Sequence, residues 1–265
     1  MKNWETLFHI SIDDLRNSNI PYDVWAIGGS SAIYLKFSHR KSKDLDIFIY
    51  DPQFLNYISP RLNDLKSIEK LLDYEETEKS IKIRYNEGKI DYVINTQISN
   101  FSPIIHDFEN WPLQVEHPIE VITKKIYYRS HYSPPRDIFD IAFIFSKYEE
   151  ELLKIHPQIF KKINAFENQI NITEKSKTYD NFLKETYFFD EGKKILGYEF
   201  KLCREFIDKI RKLNTPEQEA EILKEKKKEE EIKRKMREKM GIREKTEITK
   251  LTKDKNKIKT QFKKD

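Results

Sequence analysis

Apolar side chains recur at Trp4, Leu7, Phe8, Ile12 and Leu15, the three-and-four spacing of one helix face. Residues 22–27, after Pro21, form a short apolar run that reads as a strand, and a helix opened by a serine cap follows over 32–37. Residues 45–50 (Leu-Asp-Ile-Phe-Ile-Tyr) are rich in β-branched and aromatic side chains and predict a second strand. Residues 60–72 suit a helix, and 81–85 with 90–94 predict a hairpin around Asn86-Glu87-Gly88-Lys89. From Pro118 onward the strand signals fade. Pro118 suits the first turn of a helix carrying Ile119, Ile122 and Ile126, and residues 137–153, 158–170 and 200–213 continue in the same period. The pattern predicts an α+β chain: a sheet domain with flanking helices over 1–116, a helical domain over 117–215, and a charged tail over 216–265.

Beyond Pro216, Glu and Lys dominate, which suits a solvated helix followed after Gly241 by disorder. The 265 residues carry 49 Lys+Arg against 45 Asp+Glu, a net charge of +4. The basic excess lies wholly in this tail. Such a run is most simply a solvated face; the alternative is a mobile basic arm drawn to nucleic-acid phosphates. Phe262 is its lone aromatic beyond Gly241, so binding by the arm would be nonspecific. No apolar run approaches the ~20 residues that span a bilayer. The opening Met1-Lys2-Asn3-Trp4-Glu5 lacks the apolar stretch of a secretion signal, so no membrane partner and a cytoplasmic location are expected. Cys203 is the single cysteine, which excludes an internal disulfide and leaves a thiolate zinc site without ligands. Leu202, Phe206, Ile207 and Ile210 around it fit a buried helix face, and the thiol reads as structural.

The chain has six glycines, and two of them, Gly28 and Gly29, are adjacent. They sit where a strand leads into a helix, followed by a strand that opens with Asp44-Leu45-Asp46. Strand side chains alternate, so Asp44 and Asp46 point one way while Leu45 and Ile47 point into the core. Two carboxylates ~4 Å apart at an effective dielectric of ~20 repel by about 4 kcal/mol, a penalty that a divalent cation removes. Oxygen ligands of this kind suit magnesium, and Gly28-Gly29-Ser30 offers backbone N–H groups at a helix start where phosphate can approach. A metal-bound triphosphate follows. Asp91, with Ile90 and Tyr92 turned to the core, would complete a second metal site and take the proton of an attacking hydroxyl if its strand neighbours theirs. The plainer reading of Asp91 is a surface aspartate after a turn.

Residues 25–50 resemble the opening motif of the AbiEii/AbiGii toxin family of nucleotidyltransferases, within the DNA polymerase beta-like superfamily. The resemblance rests on Gly28-Gly29-Ser30, His39-Arg40 and Asp44-Leu45-Asp46. Lys89-Ile90-Asp91 is similar to the family's Lys-x-Asp, and its lysine-bearing helix and Arg-Asp-x-x-Asp resemble residues 122–129 and Arg136-Asp137-Ile138-Phe139-Asp140. The resemblance implies a nucleotidyltransferase-type mixed sheet, an NTP donor, two Mg2+ ions held by Asp44, Asp46 and Asp91, and release of pyrophosphate. It also implies nucleotide binding by Gly28, Gly29, Ser30, Arg40, Lys89, Lys124 or Lys125, Arg129, Arg136, Asp137 and Asp140. The biology it implies is a toxin with a cognate antitoxin and an RNA acceptor, tRNA foremost. The alternatives are a non-catalytic nucleic-acid-binding or interaction protein on the same fold, and a transferase acting on a small molecule such as an antibiotic.

The late motif also has a local reading. Lys125 and Arg129 share a helix face and Arg136 follows a short loop, so three cations could converge on phosphates while Asp137 and Asp140 orient the arginines. Asp137 is equally suited to a helix N-cap, and Lys124 is the other possible inward lysine. His39 has no second histidine at ligand spacing and reads as a polar contact that shapes the loop before Asp44. Trp4, Trp25 and Trp111 read as packing residues.

Overall fold

The computed structural model describes residues 2–65, 67–108 and 111–239. In chain order the first elements are α1 (Lys2–Asn17), β1 (Trp25–Gly28), α2 (Gly29–Phe37), β2 (Leu45–Ile49), β3 (Asp73–Thr77), β4 (Ser80–Tyr85), β5 (Gly88–Ile94), β6 (Ile104–Phe108) and β7 (Trp111–Val115). Helices follow: α3 (Pro118–Arg129), α4 (Pro135–Lys147), α5 (Glu149–Leu153), α6 (His156–Ile159), α7 (Ile163–Glu174), α8 (Lys177–Glu185), α9 (Asp190–Lys193), α10 (Glu199–Lys212) and α11 (Pro216–Lys239). The chain clusters into two compact units, Met1–Leu213 and Asn214–Asp265.

In the first unit the strands form one mixed sheet in the order β3-β4-β5-β2-β1-β7-β6, with flanking helices. Two pairings are parallel, β2 with β5 and β1 with β7, and the rest are antiparallel. Alternation decides the faces. Leu45, Ile47 and Ile49 are fully buried, whereas Asp46 and Phe48 between them are partly open on the other side. Helix α1 packs on β2 and β5 and adds Leu7, Phe8 and Leu15 to a core that contains Ile47, Ile90 and Tyr92. Trp4 and Trp25 are buried, in keeping with a packing role.

The elements depart from the sequence reading where tertiary partners intervene. Pro21, with φ of −57°, starts a turn of 3-10 helix at Tyr22–Val24, so strand β1 begins only at Trp25. Helix α2 starts at Gly29 with no side-chain cap. Its serines are engaged elsewhere, Ser31 with Trp4 and the Asp44 carbonyl, Ser30 with Asp140. The helix expected over 60–72 does not form; among its described residues there are turns and one short 3-10 segment at Ile68–Lys70, and a longer 3-10 segment at Pro52–Ile58 precedes it. The Asn63 amide binds the Asn56 and Ser59 carbonyls, the kind of side-chain competition that draws a backbone out of helix. The run 137–153 breaks at Tyr148, whose φ of −136° ends α4 and whose ring packs on Phe37 and His117. Strands β3, β6 and β7 were not legible: β3, at one edge of the sheet, is rich in charge and pairs Asp73 with Arg84 and Glu75 with Lys82.

The second unit contains α11. Thr215 and Gln218 exchange side-chain and backbone bonds of 2.9 and 3.3 Å, a reciprocal cap at the start of this helix, and Pro216 lies at its first turn. Its described surface is charged, with an i,i+4 pair between Glu231 and Lys235. The stretch 241–265, expected to be disordered, and the Trp111 side chain lie outside the described residues. Among the described residues no helix is long and apolar enough to cross a membrane.

Candidate active site

Three strands bring the first motif together. Antiparallel pairing sets Gly28 opposite Asp46, and parallel pairing sets Asp46 opposite Asp91, so a glycine and two carboxylates form a row across β1, β2 and β5. Asp44 lies just before β2, on the same pocket wall. Gly29 has a φ of +57°, and a Cβ there would stand 2.0 Å from Asp46 Oδ2. A side chain is excluded twice over, by the left-handed backbone and by the carboxylate that lies against it.

The charges in this row are under strain. Burial and the neighbouring Asp91 charge push the Asp46 carboxyl above its ordinary range. Lys89 Nζ stands 2.5 Å from Asp91 Oδ2 and 3.8 Å from Asp44 Oδ2. Burial opposes the charge on this ammonium, but the carboxylates prevail and hold its pKa above the usual lysine value. Asp91 Oδ1 is buried with no hydrogen-bond partner. Among the described residues no three His, Cys, Asp or Glu side chains are already drawn together as a metal-ligand group. The donor set nevertheless fits a hard divalent cation: all its atoms are carboxylate oxygens, one is buried and unbonded, and two of the groups repel each other.

A second cluster borders Ser30. Asp140, fully buried on α4, accepts from Arg40 Nε at 2.7 Å and Nη2 at 2.8 Å, from Ser30 Oγ at 2.7 Å and from His39 Nε2 at 2.9 Å. Burial alone would raise this carboxyl, yet the Arg40 and Lys125 charges outweigh it and hold it well below the usual carboxylate range. Arg40 Nη2 also donates to Ser30 Oγ at 2.6 Å. His39 is buried beside Phe139 and Phe143, and burial lowers its pKa, so the neutral ring presents Nε2–H to Asp140. His39 thus shapes the loop before Asp44.

Lys125 Nζ binds Asp137, lies 3.1 Å from Asp140 Oδ2 and reaches Ser30 Oγ at 3.5 Å. Asp137 also receives Arg129 Nη1 at 3.2 Å, and Pro134 rather than Asp137 occupies the N-cap position of α4. Lys124, one residue earlier, turns away to Glu116 and to Glu120 at 3.4 Å, over the Phe48 ring at 4.5 Å. Arg136 is exposed at the pocket rim and takes no part in the Asp137–Asp140 cluster.

All of these groups except Gly28, His39, Glu120, Asp137, Asp140 and the Phe139 and Phe143 rings line one cavity of about 730 Å³, which brings the carboxylate row and Ser30 together. A model of the family described as nucleotidyl transferase AbiEii toxin, type IV TA system, matches residues 19–241. The chain belongs to this AbiEii family. It is a nucleotidyltransferase-family toxin of a type IV toxin–antitoxin system, and its mixed sheet with flanking helices has the nucleotidyltransferase architecture. Among solved structures it is similar to a candidate nucleotidyltransferase from H. pylori, at 15% identity and a TM-score of 0.43, over 80% of this chain and 96% of that one. It is also similar to an antigenic nucleotidyltransferase-like protein from Paracoccidioides brasiliensis, at 15% identity and a TM-score of 0.35, over 66% of this chain and 91% of that one. No curated protein matches the chain.

Phe48, Asn95, Glu116 and Tyr128 are among the lining residues of this AbiEii chain that the sequence does not single out. Strand alternation from Asp46 could have found Phe48, and from Asp91 could have found Asn95. Nothing local marks Glu116. It enters because its amide bonds the Ile27 carbonyl at 2.8 Å, which extends the β1–β7 pairing by one residue. Burial pushes its carboxyl up to about 8 against the opposing charge of Lys124.

Proposed function

We propose that this chain transfers a nucleoside monophosphate from an NTP to an RNA acceptor, tRNA foremost, in a magnesium-dependent reaction. The observation that carries the reading is the register that sets Asp46 against Asp91 within one strand of Gly28. In this reading residues 1–116 supply the carboxylates and residues 117–215 supply most of the phosphate-facing cations. Asp44, Asp46 and Asp91 would hold the metal, which when bound supplies positive charge to the reacting phosphate and lowers the cost of the developing negative charge.

The chain's own groups do the rest. The first-turn N–H groups of α2, that of Ser30 among them, receive the terminal phosphates, because Gly28 and Gly29 present no β-carbon there. Lys125 and the half-exposed Arg129 add charge on the same side, while Asp137 fixes their positions. Arg40, spent on Asp140 and Ser30, positions the serine. Asp91 accepts the proton of the acceptor hydroxyl as that oxygen bonds to the α-phosphorus and the bond to pyrophosphate breaks. Lys89 keeps Asp91 oriented until substrate enters. The intact set of three carboxylates favours catalysis over a purely binding role.

The test is to incubate the protein with each labelled triphosphate, magnesium and total cellular RNA. The expected result is one nucleotide attached to RNA of tRNA size, with labelling lost on chelation and at least 100-fold slower in Asp46→Asn, in line with roughly 10²–10³ for loss of one transition-state electrostatic contact. Labelling by Asp46→Asn at the unaltered rate would overturn the assignment. Label appearing solely on small molecules would move the acceptor out of the RNA class.

A further inference from the structure

The pocket continues past the carboxylates into a part that neither metal nor triphosphate explains. Side chains two and four residues beyond Asp46 and Asp91 share their face of the sheet, and register sets Phe48 opposite Val93. At ~3.3 Å per residue, this pair lies ~7 Å from the carboxylate row and Asn95 ~13 Å from it. That span matches the reach of a nucleoside from its 5′ phosphorus to the far edge of its base. Helix α3 faces the same cavity with Val121, Lys124, Lys125, Tyr128 and Arg129, one stripe at helical spacing. The stripe divides by chemistry. Lys125 and Arg129 lead to Asp137, whereas Lys124 leans over Phe48 and Tyr128 is 58% exposed.

The polar groups here are arranged for recognition. Lys124 is tied to Glu116 and Glu120 and holds the Phe48 ring beneath it by cation–π attraction. Glu116, 1% exposed, has one oxygen, Oε2, without a partner. The Asn95 side-chain amide takes no hydrogen bond among the described residues, and it can both donate and accept. A flat heterocycle with a mixed donor and acceptor edge fits this combination; a lipid chain or a simple sugar does not use it.

We propose that Phe48, Val93 and Tyr128 form the slot for the base of the donor nucleotide and that Asn95 reads its edge. The assignment rests on the nucleotidyltransferase reading of the same pocket and adds to it the residues that select the donor. The experiment measures equilibrium binding of the four ribonucleoside triphosphates, of inorganic tripolyphosphate and of a short single-stranded RNA to the full chain in magnesium. Tyr128→Ala should weaken the preferred triphosphate by about 5- to 150-fold, the range for loss of one base–aromatic stack, and leave tripolyphosphate within about twofold. Tyr128→Phe should bind as the unaltered chain does, and Asn95→Asp should change the order of preference among the four. The slot is overturned if Tyr128→Ala and Asn95→Asp bind all four triphosphates unchanged, if they lose tripolyphosphate equally, or if Tyr128→Ala weakens the RNA alone. Failure of the unaltered chain to bind any triphosphate or tripolyphosphate would instead sink the nucleotidyltransferase reading itself, and the slot with it.

Discussion

Replacing Asp140 by asparagine removes a charge from the centre of a buried network while keeping its shape. Asp140 is 0% exposed and receives two bonds from Arg40 and one each from Ser30 and His39, with Lys125 at 3.1 Å. An asparagine offers one acceptor oxygen in place of two and turns an N–H2 toward groups that are themselves donors. Two charge-assisted bonds at ~1.5–3 kcal/mol each, with Arg40 and Lys125 left less compensated, put the loss at about 3–5 kcal/mol. Urea unfolding should show it as a lower midpoint with an unchanged slope. The pH dependence gives an independent sign. The folded-state pKa of Asp140 is depressed, so its stabilisation is fully present above the ordinary Asp value of ~3.9 and disappears as pH falls through the folded value. Asp140→Asn should lose that part of the acid sensitivity. A double-mutant cycle with Arg40→Gln should be sub-additive by more than about 1 kcal/mol. A loss below about 1 kcal/mol, or strict additivity, would refute the view that one carboxylate organises Ser30, His39 and Arg40.

Gly29→Ala should cost at least ~1 kcal/mol from its left-handed backbone and abolish transfer, because the new Cβ meets Asp46 Oδ2 at 2.0 Å; thermal melting and the labelling assay check the two effects separately. Glu116, held near 8, keeps a proton when folded that it loses when unfolded above the ordinary Glu value of ~4.3. Stability should therefore fall as pH rises through that window by up to ~1.4 kcal/mol per unit, and Glu116→Gln should flatten the slope measured by urea midpoints. Cys203 is fully buried and burial pushes its thiol up, so a thiol reagent should modify native protein at the rate of unfolding and denatured protein at once. Fast stoichiometric modification of native protein would contradict that burial.

Local information was enough for much of this molecule. The spacing of Trp4, Leu7, Phe8, Ile12 and Leu15 encodes α1, Pro118 marks the start of α3, and the Asn86-Glu87 turn between two alternating runs encodes the β4–β5 hairpin. Each depends on periodicity or turn chemistry within one segment. The adjacency of Gly28-Gly29 to an acidic strand likewise pointed to the pocket, because a missing Cβ and a carboxylate pair have the same meaning in any fold. Tertiary structure decided what depends on partners distant along the chain. Ser31 could cap a helix, but Trp4 and the Asp44 carbonyl claim it; Asn63 could sit in a helix, but its amide serves the Asn56 and Ser59 carbonyls. The parallel pairing of β2 with β5 chose the row for Asp91, and only folding could choose Lys125 over Lys124 as the lysine that reaches Ser30. Asp140 reads in sequence as a carboxylate that orients nearby arginines, and Glu116 as an ordinary charge. They became a buried hub and a raised-pKa carboxyl because desolvation and neighbouring charge are properties of the assembled interior, which the linear order of residues does not contain.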